Sequence, residues 1–101
     1  LKNINHPLYM YHVASPENRI SIEKNGLLSS KSYFYDEDDG GHGGIFFHSK
    51  YVSQYGMDTW KVDVMGLPIE NDETTDTSEE WYVLWNQDVT PDRLELIYKA
   101  M

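Results

Sequence analysis

Cysteine is absent from all 101 residues, which removes disulfides and thiolate metal sites together. That absence fits a reducing, cytoplasmic setting. Long apolar runs are missing as well. No stretch approaches the roughly 20 residues that a membrane-spanning helix needs, and no secretory signal is visible, so no membrane role is expected. Basic side chains are scarce: eight Lys and Arg stand against 17 Asp and Glu, a net charge of −9. Such a balance repels phosphate backbones, and no extended nucleic-acid surface is expected. It serves solubility, and it also suits docking to a basic protein. Two common chemical signatures are missing too: a phosphate-cradling glycine loop between strand and helix, and a zinc helix with paired His.

Aromatics, by contrast, are plentiful: eight Tyr, three Trp and three Phe. Disordered chains are poor in aromatics, so this chain is expected to fold, as a single domain over residues 1–101. Leu8 to Ala14 is apolar and β-favouring and reads as a first strand. Ser15-Pro16-Glu17 then carries a capping hydroxyl, a proline suited to the first helical turn and an acid at the positive helix end. The helix should run to Asn25 and stop at Gly26. Ile45 to His48 is a short strand. Ser49 to Tyr55 reads as a helical segment stopped by Gly56, Thr59 to Val64 as an alternating strand, and Glu80 to Trp85 as another strand. Thr90-Pro91-Asp92 opens a short helix, after which Leu94, Leu96 and Ile97 return to the core. Short strands mixed with short helices make an α+β fold.

Two polar stretches separate these elements. Asp36 to Gly44 combines four acids with four glycines and suits a loop that lets backbone approach a ligand. As a calcium loop it fails, because its fifth and twelfth positions are Gly40 and Phe47; no metal is expected. Gly66 to Ser78 is a second long loop, of the length that is usually functional or disordered.

Three blocks carry a resemblance. Gly44-Ile45-Phe46-Phe47 followed by Tyr55 resembles the Gly-aliphatic-Tyr-Phe strand and second Tyr of poly(ADP-ribose) polymerases. Tyr9 to Val13, continued by Glu17 to Leu28 with its closing Gly26-Leu27, resembles the His-bearing strand and following helix of small bacterial ADP-ribosyltransferases and RNA 2′-phosphotransferases. Glu80-Trp81-Tyr82-Val83-Leu84, then Asp88-Val89 and Leu94, is similar to the final Glu-bearing strand and its return. The blocks fall in family order and touch about half the chain.

The resemblance implies a small, split, mixed or antiparallel sheet that grips NAD in a cleft. It implies that His12 hydrogen-bonds a ribose hydroxyl, that the Val13 backbone holds the nicotinamide amide, and that Glu80 stabilises the cation formed as the glycosidic bond breaks. Glu79 is the neighbour that would face the cleft if the strand register slips by one. Phe46 stands where the family has Tyr, keeping an aromatic face and losing the phenol. Tyr55 would supply the second wall. His48 continues the Phe46 face, and Arg19 is the guanidinium suited to pyrophosphate. The family's Gly-Ser after the His is Val13-Ala14 here. These departures point to mono-transfer or NAD hydrolysis rather than chain building. An inactive relative that binds ADP-ribose-like nucleotides, or docks through its acidic loops on a basic partner, is the alternative. Phosphate transfer from RNA is disfavoured by the shortage of cations.

Overall fold

A computed structural model describes residues 9–31, 43–71 and 81–100. Its first strand, β1 (Tyr9–Ala14), begins after Leu8, which lies outside the described residues, and ends where the sequence places the cap: the Ser15 hydroxyl accepts the Glu17 N–H at 3.3 Å. Pro16–Asn18 forms one 3-10 turn that runs into α1 (Arg19–Asn25). Ile22 is buried, whereas Ile20, two residues earlier and on another side of the helix, is exposed. Gly26 ends α1 with a φ of 83° and donates its N–H to the Ile22 carbonyl at 2.8 Å. This is a conformation that only glycine adopts without strain. The next residue, Leu27, is pinned to Val89 by a reciprocal pair of backbone hydrogen bonds of 2.9 and 2.8 Å. The stop at Gly26 therefore drives the chain straight into a second anchoring contact.

Five further strands follow: β2 (Gly44–His48), β3 (Asp58–Asp63), β4 (Glu70–Asn71), β5 (Trp81–Trp85) and β6 (Leu94–Tyr98). Among the described residues, the six form one sheet in the order β4-β5-β2-β1-β3-β6, with every pairing antiparallel. The α+β class is as expected. Of the mixed or antiparallel pairing expected, the antiparallel form is the one found among the described residues, and the several short helices reduce to one short α-helix and single 3-10 turns.

Alternation along the strands sends one row of side chains to a shared core. Met10, Phe47, Val62 and Leu84 are fully buried there, with Ile22 of α1 and Leu27 and Val89 of the pinned loops packed over them. Burying each such side chain stabilises the fold by about 1.5–3 kcal/mol. Trp60 joins them, and its indole N–H has no acceptor among the described residues.

Three elements differ from the sequence reading: within the stretch read as a loop from Gly66 to Ser78, Glu70–Asn71 pairs with β5 as the edge strand β4. Residues 49–57 contain no helix; they run irregularly to a turn at Tyr55-Gly56. The segment had a cap, a stop and Tyr51, Val52 and Tyr55 at helical spacing, but Tyr51 and Tyr55 are exposed, so that face packs on no core that would anchor a helix. Thr90-Pro91 opens only a single 3-10 turn, Pro91–Arg93, and the expected return to the core is an edge strand on β3, Leu94 to Tyr98, in which Ile97 is exposed. Its half-buried Leu94 and Leu96 are two residues apart, the spacing of a strand face. No helix among the described residues is long and apolar enough to cross a membrane.

Candidate functional site

The site begins with the way β1 meets its two neighbours. Against β3 it is in register at six successive pairs, from Tyr9↔Asp63 to Ala14↔Asp58. Against β2 it is registered at one, Tyr11↔His48. Beyond that point the C-terminal half of β1 and the N-terminal half of β2 leave a cleft of about 640 Å³, within the usual size of a ligand site. Tyr11 to Ala14 form one wall and Gly44 to Phe46 the other. Asn18, Ser21 and Ile22 from the helical segment, and Gln54 and Met57 from the irregular loop, complete it, with Trp81 from β5.

His12 spans the two walls. Its Nδ1 lies 2.8 Å from the Phe46 carbonyl oxygen. A carbonyl can only accept, so Nδ1 carries the hydrogen and Nε2 carries the lone pair. Burial pushes the imidazole below its ordinary value of 6.5, against the opposing pull of the Phe46 carbonyl, so the ring is neutral at pH 7. It therefore offers an acceptor, and no second donor, to anything that reaches Nε2. Its face packs at a tilt on Phe47, centroids 6.1 Å apart.

The two phenylalanines of β2 divide between the faces of the sheet. Phe47 is wholly buried in the core, and Phe46 lies half-buried at the cleft with its ring edge-on to Trp85 at 6.2 Å. Gly44 makes room for that arrangement. A Cβ there would stand 2.8 Å from the Trp85 ring and 2.9 Å from a Val83 methyl.

No family model matches this chain, and neither a curated protein nor a solved structure is detectably similar to it. The candidate residues are accordingly weighed by their geometry. His12, Val13 and Phe46 come together at the cleft. Arg19 does not join them: its guanidinium forms a two-pronged ion pair with the fully buried Asp58, both contacts at 2.8 Å, and also reaches the Ala100 carbonyl at 3.3 Å. His48 shares the Phe46 face but stacks edge-on against Trp81 at 4.6 Å, with Nδ1 against the Lys50 backbone, and does not line the cleft. Tyr55 is fully exposed at the turn, although its neighbour Gln54 lines the cleft. Glu79, Glu80 and the Asp36 to His42 stretch lie outside the described residues; β5 begins at Trp81, the residue after Glu80.

Four polar residues of the cleft were not site candidates in the sequence: Ser15, read there only as a helix cap, Asn18, Ser21 and Gln54. Asn18 and Ser21 are three apart on one helical segment, the spacing of a common face next to buried Ile22, and that polar pair was the available signal. Among the described lining residues there is no Lys or Arg, and no group of three or more His, Asp or Glu stands close enough to hold a metal.

Proposed function

We propose that this chain is a small ADP-ribosyltransferase-like protein that binds NAD in the cleft between β1 and β2 and breaks its nicotinamide glycosidic bond. One observation carries the reading. The three strands that resemble the family's His, aromatic and Glu strands are neighbours, in the order β5-β2-β1, and the sheet opens between the first two of the motif residues, His12 and Phe46. Residues 34 apart in sequence thus meet at one gap, as a split NAD-gripping sheet requires.

The residues present suit the nicotinamide riboside half of NAD. Nε2 of His12 can accept from a ribose hydroxyl. The Val13 peptide borders the cleft and can hold an amide group, and Phe46 supplies an aromatic wall. Glu80, beside the cleft residue Trp81 in sequence, would place its carboxylate near the ribose carbon as positive charge develops there. Nicotinamide leaves with the bonding electron pair. An acceptor oxygen or nitrogen, or water, then bonds to that carbon and gives up a proton. The acidic loops would favour a basic protein as acceptor.

A second reading is favoured by two observations: Phe46 has no phenol, and the cleft has no cation among its described lining residues to meet a pyrophosphate. On that reading the chain binds an ADP-ribose-like ligand or a basic partner without turnover. Nicotinamide release from NAD separates the two. Purified wild type should release nicotinamide, and Glu80→Gln should lower the rate on the order of a hundredfold or more. A folded wild type that releases none, alone or with cell lysate as acceptor source, would remove the enzyme reading; a Glu80→Gln rate within a few-fold of wild type would remove Glu80 from it.

A further inference from the structure

The β1–β2 gap has to be held open at a fixed width by something other than the ladder. Antiparallel strands that stay paired exchange backbone hydrogen bonds at alternate residues. Continued from Tyr11↔His48, the register would set Val13 opposite Phe46, and the Phe46 carbonyl would take a backbone N–H of β1. It takes the His12 Nδ1–H instead, at 2.8 Å. An imidazole is longer than a peptide N–H, so the substitution spaces the two strands apart.

We infer that His12 is a positioning clasp: its Nδ1–H bond to the Phe46 carbonyl sets the width of the cleft, holds the Val13 peptide out of the β1–β2 ladder, and fixes the aromatic wall, leaving Nε2 for the ligand. The ligand half of this statement rests on the proposed NAD reading; the clasp does not. The two ring nitrogens then have separable tasks. An Asn side chain places its amide N–H near where Nδ1 stands and has nothing near Nε2. A Gln side chain reaches toward Nε2 and leaves the Nδ1 position empty.

The test uses the full chain, labelled with nitrogen-15. In the absence of ligand at pH 7.5, the His12 ring should show a protonated Nδ1 and an unprotonated Nε2; a hydrogen on Nε2 would overturn the inference, whatever happens in the variants. The amide signal of Phe47, which shares a peptide unit with the Phe46 carbonyl, should sit closer to its wild-type position in His12→Asn than in His12→Gln, because loss of the imidazole ring is common to both. Equal displacement of that amide in the two variants would also overturn it. Titration with NAD adds the ligand arm: His12→Asn should weaken binding by about tenfold or more although its cleft is intact. Wild-type NAD affinity in His12→Asn would strike the Nε2 task, and no NAD binding by wild type would strike the proposed function, in both cases with the amide and ring results still deciding the clasp. Should both variants fail to fold, the wild-type ring measurement decides by itself.

Discussion

Asp58 and His12 each tie stability to acid in a different pH window. Asp58 is fully buried, yet it is held well below the usual carboxylate value of 3.8 by the Arg19 guanidinium, with the Ala100 N–H adding a further bond at 2.8 Å. Its folded pKa lies below its unfolded one, so its contribution is complete above about pH 4 and is lost as pH falls through the folded value. His12 works in a higher window. Burial lowers it from 6.5, so below that pH the unfolded chain takes up the proton first and the fold is penalised down to the folded pKa; above it nothing is lost. Thermal melts across pH should therefore show an acid-side decline in stability starting near 6.5 that shrinks in His12→Asn, followed by a steeper loss below 4. An unchanged decline in the variant would show that His12 is not the group responsible. Arg19→Ala at pH 7 leaves the Asp58 charge buried and uncompensated, and should lower Tm by more than about 10 °C. The sequence marked His12, Val13 and Phe46 as candidates, and the fold brings these three to one cleft. The pairing of Arg19 with Asp58 was not legible, because the partners lie 39 residues apart and nothing in either segment announces it.

Elements with local punctuation were readable, and those defined by distant partners were not. The first strand, the Ser15-Pro16 start and the Gly26 stop are each written in two or three adjacent residues, and the fold follows them. The edge strand β6 exists because β3 offers it a ladder, and the expected helix at 49–55, although punctuated by Ser49 and Gly56, is missing because Tyr51 and Tyr55 find no core to bury them. The Gly26 stop carries the sharpest test at this scale. A Cβ at position 26 would lie 1.9 Å from the Val89 carbonyl oxygen, a backbone atom that cannot rotate aside, and φ is 83°. Gly26→Ala should cost about 2 kcal/mol or more in denaturant melts, through backbone strain and loss of the Leu27–Val89 pairing. Gly56→Ala is the control: φ is 76° but the surrounding space is open, so only the conformational part of the cost remains. Equal losses at the two sites would mean that the Val89 contact gives way freely and that the loop pairing does not anchor the helix end.

On the scale of the whole molecule, charge and chemistry are segregated along the chain. Nine of the 17 acids fall in two stretches, 36–39 and 72–80, and these stretches precede the two strands, β2 and β5, that supply one wall of the cleft and its Trp81. The cleft itself is lined by neutral groups among the described residues. A division of this kind lets long-range attraction and ligand contact be altered separately, because exposed charges steer a partner while desolvated neighbours fix the ligand. Replacing Asp72, Glu73 and Asp76 by their amides leaves Glu80 and the cleft residues in place. Such a variant should keep wild-type nicotinamide release in the presence of water alone. It should also lose most of any stimulation by a basic protein acceptor, and that stimulation in the wild type should fall as salt rises from 50 to 500 mM, where the screening length drops below about 8 Å. If the amide variant instead releases nicotinamide as slowly as Glu80→Gln, the acids of that stretch act on the chemistry and not on the partner, and the segregation of charge from chemistry is wrong.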